Sequence, residues 1–478
     1  MRSLPLSLLL SATLSALAQS SSAGLPAAPL PSSPPFNLAI ANPNLGLSSS
    51  QAAPVNQQQP LLDPSTETIS ITRTDAERLA LKNNPRITAS HLLALAAGQV
   101  TRETRSGELP QISAAVTAEK AEDGTRIGAG ALTDSRIYTH AGTGGSLSQL
   151  ITDFGHTRDL VASNKLQQKA QDQTALATEQ DVLLATDQAF YRLLNAQSLL
   201  NVAKATVAAR GDVQNLTSAL TRSALKSDLD LNVASADLSQ AQLLQLDAEN
   251  AVDSARAALA AVLAAPADTL YQAVEDAEAA PPPPLSDSST AINANAQAQR
   301  PDLQALRFNA AADQKFATAQ QLQHLPTISA LAIGGITPVA PDGVFVPNWY
   351  AAAGVNLSLP LFTGFRINAQ AQEARLRQKA AEKQAQDLSD TIARDVRVAV
   401  LNAQTAFRRI AVADQFRKQT AQALALAQTR YKLGLSSIVE LSQAQLQSTQ
   451  AAVAAVNARY DYLLALRSLD YARGQLAP

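Results

Sequence analysis

The residues that could carry out chemistry are few, and their spacing fits none of the common active sites. The histidines are His91, His140, His156 and His324, and none of them has a second histidine at the short spacing of a helical metal site. The glycines around Gly144 lie in a strand-like stretch and do not open a helix, as a phosphate loop would require. No serine lies in a Gly-x-Ser-x-Gly motif, and the absence of cysteine excludes thiol catalysis and disulfides. We therefore expect no catalytic residue, no cofactor, no metal and no enzyme activity.

The composition favours long helices over a thick globular core. Of the 478 residues, 46% are hydrophobic but only 4% are aromatic, so the apolar side chains are mostly Ala and Leu. Small side chains suit helices that pack closely along thin seams. The net charge of −2, with acids and bases interspersed, argues against a nucleic-acid partner.

The amino terminus predicts export. Residues 1–18 combine Arg2, an apolar run and a small-residue end, which is typical of a secretory signal peptide. Residues 19–65 are rich in Pro, Ser and Ala and predict a flexible leader. No later stretch offers the ~20 continuous apolar residues of a transmembrane helix.

Much of the chain occurs twice. A shift of 210 positions aligns Leu150–Ala265 with Pro360–Gln475 without a gap. Further upstream, Leu109–Ala114 matches Leu325–Ala330 at a shift of 216. We expect the six-residue difference in loops within 115–150 and 331–359. The predicted domains are repeat 1 at 66–265, a Pro-rich linker at 266–298 and repeat 2 at 299–476.

Helical periodicity dominates each repeat. No proline interrupts the stretch from Gly155 to Arg222, in which apolar residues recur every seven positions from Leu176, and this predicts a helix of 65–70 residues, about 100 Å long. Helices of about 30 residues before the strands and about 37 after the turn would stack end to end along it. The first helix would be capped by Thr74 or Asp75 and disturbed by Pro85.

A hairpin is expected between the helices of each repeat. Asp123-Gly124 and Asp342-Gly343 are suitable turn sites. In Trp349–Leu361, apolar Val355, Leu357, Leu359 and Leu361 alternate with polar Asn356 and Ser358. Alternation of this kind is typical of membrane barrel strands, although ordinary soluble hairpins would also show it.

The order of these elements, repeated twice, resembles the TolC-type outer-membrane efflux and secretion channels. Local motifs are similar as well. Leu361–Arg366 and, more loosely, Ile151–His156 resemble the family's strand exit, and Arg430–Ser436 resembles its helix-turn motif. The resemblance covers about residues 66 to 476.

The resemblance implies a mostly α fold with a membrane β-barrel. Three chains would each give four strands to a twelve-stranded barrel, continued by a helical coiled-coil tunnel through the periplasm. It implies the exit duct of a tripartite efflux or type I secretion system in the Gram-negative outer membrane. The partners would be outer-membrane lipid, a periplasmic adaptor protein and, through it, an inner-membrane pump or ABC transporter.

By the same resemblance, the turns at Thr221–Asp230 and Arg430–Glu440 form the tunnel mouth. Gate candidates are Tyr431, Asp230, Glu440 and Asp228, and the acids would favour cations. The adaptor-docking candidates are Arg430, Leu433, Gly434, Leu435, Ser436, Ala224 and Leu225. Ala224 departs from the family's turn glycine. In a purely structural alternative, Asp228 and Asp230 only cap the return helix.

A second function class stays open at this point. An exported soluble coiled-coil scaffold or adaptor without a pore would use the same helices for protein binding only. It would have no need of the strand-forming segments at 112–150 and 328–361.

Overall fold

The computed structural model describes residues 68–120, 126–129, 132–136, 140–266, 268–275, 289–336 and 348–476. All of them fall in one compact unit, Pro64–Pro478. The predicted signal peptide, the predicted leader and both predicted Asp-Gly turns lie outside the described residues.

Helices make up most of the described chain, and their lengths recur in order. They are α1 Arg73–Asn83, α2 Pro85–Ser106, α3 His156–Arg222, α4 Asp228–Val262, α5 Ser289–Gln299, α6 Pro301–Leu322, α7 Arg366–Lys432 and α8 Ile438–Ala472. The lengths are 11, 22, 67 and 35 residues in the first half, and 11, 22, 67 and 35 in the second. The predicted helix from Gly155 to Arg222 is confirmed as α3.

Strands occupy the stretches between helices. They are β1 Ile69–Ile71, β2 Gln111–Glu119, β3 Arg126–Ala129, β4 Leu132–Arg136, β5 His140–Thr152, β6 Tyr271–Ala273, β7 Thr327–Ile336 and β8 Trp349–Ser358.

The predicted first helix is divided in two at Asn84. Pro85 has no N–H to continue α1, and the Asn84 side chain accepts a hydrogen bond from Arg86 N and caps α2. The cap of α1 is Thr72, which accepts from Asp75 N at 3.3 Å, so the predicted caps Thr74 and Asp75 were wrong.

The two shorter helices of the first half meet end to end beside α3. Asn84 Nδ2 donates to the carbonyl of Val262 at 2.9 Å and joins the start of α2 to the end of α4. Both helices pack along α3. The predicted stacking is therefore confirmed for this half. In the second half, the close approach of Gly474 to Arg300 similarly joins the end of α8 to the start of α6.

The helices pack along thin, alanine-rich seams. One such seam runs along α4, where Ala241, Val252 and Leu259 are all buried. Leu176, placed on the heptad seam of α3, is 42% exposed instead, and the neighbouring Ala175 is buried. Ala175, Val182 and Ala189 are buried at seven-residue spacing, so the seam runs one residue before Leu176.

Four strands form one antiparallel sheet in the order β2-β5-β7-β8. β5 and β7 occupy the centre, while β2 and β8 are the two edges. The hairpins are thus β2–β5, which holds the small β3–β4 ribbon in its connection, and β7–β8. A bulge between Leu150 and Thr152 lies where β5 approaches the helices.

The two faces of this sheet differ in polarity. Residues paired across strands point to the same side, so the registers define the faces. The apolar face carries Ile112, Val116, Leu147, Ile336, Trp349, Val355 and Leu357. The polar face carries Ser113, Thr117, Ser146, Ser148, Asn356 and Ser358, together with Leu331, Ile333 and Tyr350.

The alternation predicted for β8 holds for Val355 and Leu357 but not to its predicted end. The strand stops at Ser358, so Leu359 and Leu361 lie beyond it. Pro360 cannot donate to a strand neighbour, which explains the early end.

The predicted linker at 266–298 contains regular structure. β6 pairs in parallel with β1, matching Ile69 with Tyr271, and α5 begins at Ser289. The parallel pairing of β6 with β1 was not predicted. Within the described part of the chain, no helix combines the length and the apolar character that crossing a lipid bilayer requires.

Candidate functional site

Two helix turns at one end of the molecule hold the predicted site residues. One joins α3 to α4 and the other joins α7 to α8. They close in the same way, since Leu225 N donates to Leu220 O at 2.9 Å and Leu435 N donates to Arg430 O at 2.8 Å. In each case the N–H donates to the carbonyl five residues earlier, a bond that ends a helix when the residue before the donor is in the left-handed conformation.

The left-handed position is occupied by different residues in the two turns. Ala224 has φ 56° in the first turn and Gly434 has φ 73° in the second. The conformation costs an L-residue about 1–2 kcal/mol but costs glycine little. Ala224, which the sequence analysis singled out as a departure, therefore keeps the same backbone under strain.

The serine after each turn caps the return helix. Ser227 Oγ accepts from Asp230 N at 3.2 Å, and the Asp230 carboxylate accepts from Ser227 N at 3.4 Å. Ser437 Oγ accepts from Glu440 N at 3.3 Å. Asp228 lies exposed in the first turn of α4, where a negative charge is favourable. Asp230 therefore caps α4.

Glu440 has a different side-chain partner from Asp230. Its Oε1 lies 3.6 Å from Arg430 Nε, with both side chains about half exposed. Arg430 also approaches the carbonyl of Leu435 at 3.4 Å. An exposed pair of this kind adds little stability but keeps the carboxylate beside the turn.

Tyr431 is the main contact between the two turns. Its side chain is 1% exposed, and its hydroxyl lies 3.1 Å from Thr217 Oγ1 on α3. Lys226 Nζ lies 4.6 Å from the ring centroid, a cation–π distance. The ring packs in an apolar cluster with Ile438 and Leu441. The sequence predicted Tyr431 but neither of its partners.

A second polar contact joins the halves further up the helices. Arg210 of α3 donates to Asp237 of α4 at 2.7 Å and to Gln445 of α8 at 2.7 Å. Arg210 is 7% exposed. Burial lowers the pKa of Arg210 below its ordinary value, and the Asp237 carboxylate opposes this shift. The sequence analysis missed this cluster.

A sequence signal for these contacts existed in the heptads of α3. Buried positions recur every seven residues there, at Val182, Ala189, Ala196, Ala203, Arg210 and Thr217. The last two are polar and both contact the second half of the chain. Polar residues at seam positions often fix which partner a helix takes.

Several apolar side chains project from the turns. Leu225 and Leu229 are each 70% exposed in the first turn, while Leu433, Leu435 and Val439 are 65–67% exposed in the second. Ser436, the remaining docking candidate, is half-buried with its hydroxyl oxygen covered. Exposed apolar side chains are typical of interaction surfaces where they form a contiguous patch.

A buried charged cluster lies at the level of the α2–α4 joint. Glu77 of α1 and Asp187 of α3 are fully buried, and Arg467 of α8 contacts both carboxylates. Arg73 makes a further ion pair with Glu77. Burial, followed by the hydrogen bond and charge of Asp187, raises the pKa of Glu77 from 4.5 to about 7. The sequence analysis missed this cluster too.

Three histidines make contacts with neighbouring helices. His91 Nε2 lies 2.7 Å from Glu179, His156 Nδ1 lies 2.8 Å from the Ala319 carbonyl, and His324 contacts Asn368. Among the residues that the structure describes, no group of three or more His, Asp or Glu side chains could hold a metal ion.

Comparisons with known proteins agree with this architecture. The family model for outer membrane efflux proteins matches residues 77–265 and 293–475. The outer membrane protein TolC of Vibrio cholerae is 24% identical over 406 residues, covering 83% of this chain and 89% of TolC. TolC of Escherichia coli is 24% identical over 347 residues, covering 69% of this chain and 68% of TolC.

Solved structures share the fold. VceC from Vibrio cholerae superposes with a TM-score of 0.70 at 20% identity, covering 84% of this chain and 96% of VceC. The CmeC channel of Campylobacter jejuni gives 0.72 at 20% identity, covering 91% of this chain and 94% of CmeC. Since the family match spans both halves, this chain, an outer-membrane channel rather than an enzyme, belongs to the outer membrane efflux protein family.

Proposed function

We propose that this chain forms the passive exit duct of a tripartite efflux or type I secretion system. Three copies build a twelve-stranded barrel in the outer membrane and a helical tunnel through the periplasm, and the two halves of each chain are tandem repeats. Small molecules or proteins leave through this duct after a partner has supplied the energy.

The sheet is the observation that carries this proposal. It has one apolar face, suited to lipid, and one polar face, suited to a water-filled lumen. Its edge strands β2 and β8 carry unpaired backbone groups, which cannot be left in lipid. Pairing β8 of one copy with β2 of the next removes every edge and explains why association is obligatory.

The long helices support the tunnel. α3 and α7 have 67 residues each, about 100 Å at 1.5 Å per residue. The hairpins and the helix turns lie at opposite ends of α3 and α7. A barrel held in the outer membrane therefore places the turns deep in the periplasm.

In this proposal the turns are the gate. Tyr431 and its contact with Thr217 hold the second turn against the first and keep the mouth closed. Three copies of Glu440, Asp228 and Asp230 surround the mouth with negative charge and favour cations. Asp230 serves mainly as a cap, which leaves Glu440 as the stronger candidate.

The exposed leucines of the turns are the docking surface for a periplasmic adaptor. Leu225, Leu433 and Leu435 are apolar and project from the end that faces the inner membrane in this arrangement. The adaptor connects the duct to an inner-membrane pump or ABC transporter. The family's outer-membrane character favours this over the soluble scaffold.

Two measurements on purified protein test the proposal. We expect a detergent-dependent trimer that dissociates only on heating, and discrete conducting channels in planar bilayers. A soluble monomer without conductance would contradict the proposal and support the scaffold. The chain has no cysteine of its own. The variant Leu435→Cys would therefore allow site-specific crosslinking from the turn and identification of the adaptor.

A further inference from the structure

Tyr350 lies flat across two glycines on the polar face of the sheet. In the registers, Tyr350 of β8 is opposite Gly335 of β7, which is opposite Gly144 of β5. A Cβ built on Gly144 would lie 2.5 Å from the Tyr350 hydroxyl oxygen, and one on Gly335 would lie 2.8 Å from it. The ring therefore crosses two strands, and only glycine leaves room for it.

An added Cβ would meet different atoms at the two glycines. At Gly335, a Cβ would also meet backbone, with Thr143 O at 2.4 Å. At Gly144 the nearest atom is the end of the tyrosine side chain, and the nearest backbone atom is Gly334 O at 3.1 Å. A methyl group at residue 144 is thus accommodated mainly by lifting the ring off the sheet.

Tyr350 lies at the end of the sheet remote from the helices. It is the second residue of β8, whose far end at Ser358 leads to α7. In the proposed duct this end is the outer opening, and the polar face lines the lumen. The inference rests on that proposed function.

We propose that Tyr350 sets the size limit at the outer opening of the duct, and that Gly144 and Gly335 keep its ring flat against the wall. Twelve strands at 4.8 Å spacing and a tilt near 40° enclose a circle about 24 Å across between backbones. Three flat rings leave most of this width free. Three upright rings would project into the lumen and narrow it.

The test measures access to the lumen from outside the cell. Asn356 is on the same face as Tyr350 and lies deeper in the proposed lumen, and the chain has no cysteine of its own. The variant Asn356→Cys is labelled on intact cells with compact maleimide-bearing polymers of increasing radius, which the outer membrane excludes by any other route. A small maleimide confirms that the thiol stays reactive.

Adding Gly144→Ala should lower the largest polymer radius that labels by roughly 3 Å, because three rings lift into the opening. Tyr350→Ala should raise the limit, and the combination Tyr350→Ala with Gly144→Ala should match Tyr350→Ala alone. The control is Gly354→Ala, on the same face, where an added Cβ meets nothing within 4 Å. It should leave the limit unchanged.

An unchanged limit in Gly144→Ala trimers that melt like the parent would overturn the inference. A second outcome would be labelling that does not depend on polymer radius in any variant, including Asn356→Cys alone. It would show that the polar face lines no enclosed lumen and would reject the duct itself.

Discussion

The two halves of the chain agree in backbone and differ in the side chains that join them. All eight residues with positive φ that the structure describes fall into four pairs separated by 210 positions: Phe154 with Gly364, Gly155 with Phe365, Ala224 with Gly434 and Ala264 with Gly474. Each pair has one glycine and one residue that bears strain. The backbone conformation thus persists even where only one half has the residue that favours it.

The contacts between halves follow no such symmetry. Arg210, which joins α3 to α8, has Thr420 at the equivalent position, and Thr420 bonds only to its own helix. Tyr431 has Thr221 as its equivalent. The two halves therefore share their backbone geometry, while side chains that are not repeated make the contacts between one half and the other.

The largest test of this difference is Arg210→Ala. It leaves Asp237 and Gln445 without their buried partner, which should destabilise the protein by about 3 kcal/mol. The matched change Thr420→Ala should cost far less. Thermal melting of the detergent-solubilised protein by circular dichroism measures both, and equal shifts would refute the asymmetry.

The next effect is a pH dependence that comes from Glu77, a group that only the first half has. A shift of 216 positions places Asn293 where Glu77 lies, so only the first half has an ionisable group there. Because the Glu77 pKa is raised in the folded state, the contribution of Glu77 to stability is fully present below pH 4.5 and is lost as pH rises through about 7. A shift of this size is worth roughly 3 kcal/mol per chain.

Glu77→Gln should remove most of this loss and melt higher than the parent above pH 7. The exposed acid Glu373, paired with Arg377, offers a control, and Glu373→Gln should leave the pH profile unchanged. A parent protein whose melting temperature is flat between pH 4.5 and 8 would contradict the assignment.

A smaller change concerns the turns. Tyr431→Phe combined with Glu440→Ala removes the hydroxyl contact with Thr217 and the ion pair with Arg430. A lost hydrogen bond of ~1 kcal/mol should shift a closed mouth toward open roughly five-fold, seen as higher single-channel conductance in planar bilayers. The control is Tyr460→Phe, which removes a different hydroxyl contact between the halves, from Tyr460 of α8 to Ser198 of α3. It should not change conductance.

The smallest effect is expected when the left-handed residues of the two turns are exchanged. Gly434→Ala should destabilise by about 1 kcal/mol, and Ala224→Gly should stabilise by about the same amount or less, because the left-handed position favours glycine. Gly211 lies inside α3, 11 residues before its end, with free space around it, and provides the opposite control. Gly211→Ala should stabilise the helix, and a stabilising Gly434→Ala would be inconsistent with the turn geometry.

The elements that could be predicted from sequence are those whose signal is local and long. The heptads of α3, the break at Pro85 and the alternation in β8 each depend on neighbouring residues. β6 was missed because a three-residue strand carries almost no pattern and its partner β1 lies about 200 positions away. Leu359 and Leu361 were wrongly predicted to lie in the strand, because Pro360 has no N–H for strand pairing and the strand ends before it despite the apolar alternation.

The candidate site was predictable in its positions but not in its contacts. The repeat located both turns, and the resemblance pointed to Tyr431 and Glu440. Thr217, Lys226 and Gln445 could not be paired with their partners, because tertiary packing alone brings residues more than 200 positions apart together.

The end-to-end joint at Asn84 and Val262 has a mechanical consequence. Above and below it α3 is continuous, but its neighbours are interrupted at this level, so bending is easiest there. From Asp187, at the same level, about 35 residues of α3 reach down to the turn, a lever arm of about 50 Å. A tilt of about 5° at this joint moves the helix turns by about 4 Å over such an arm.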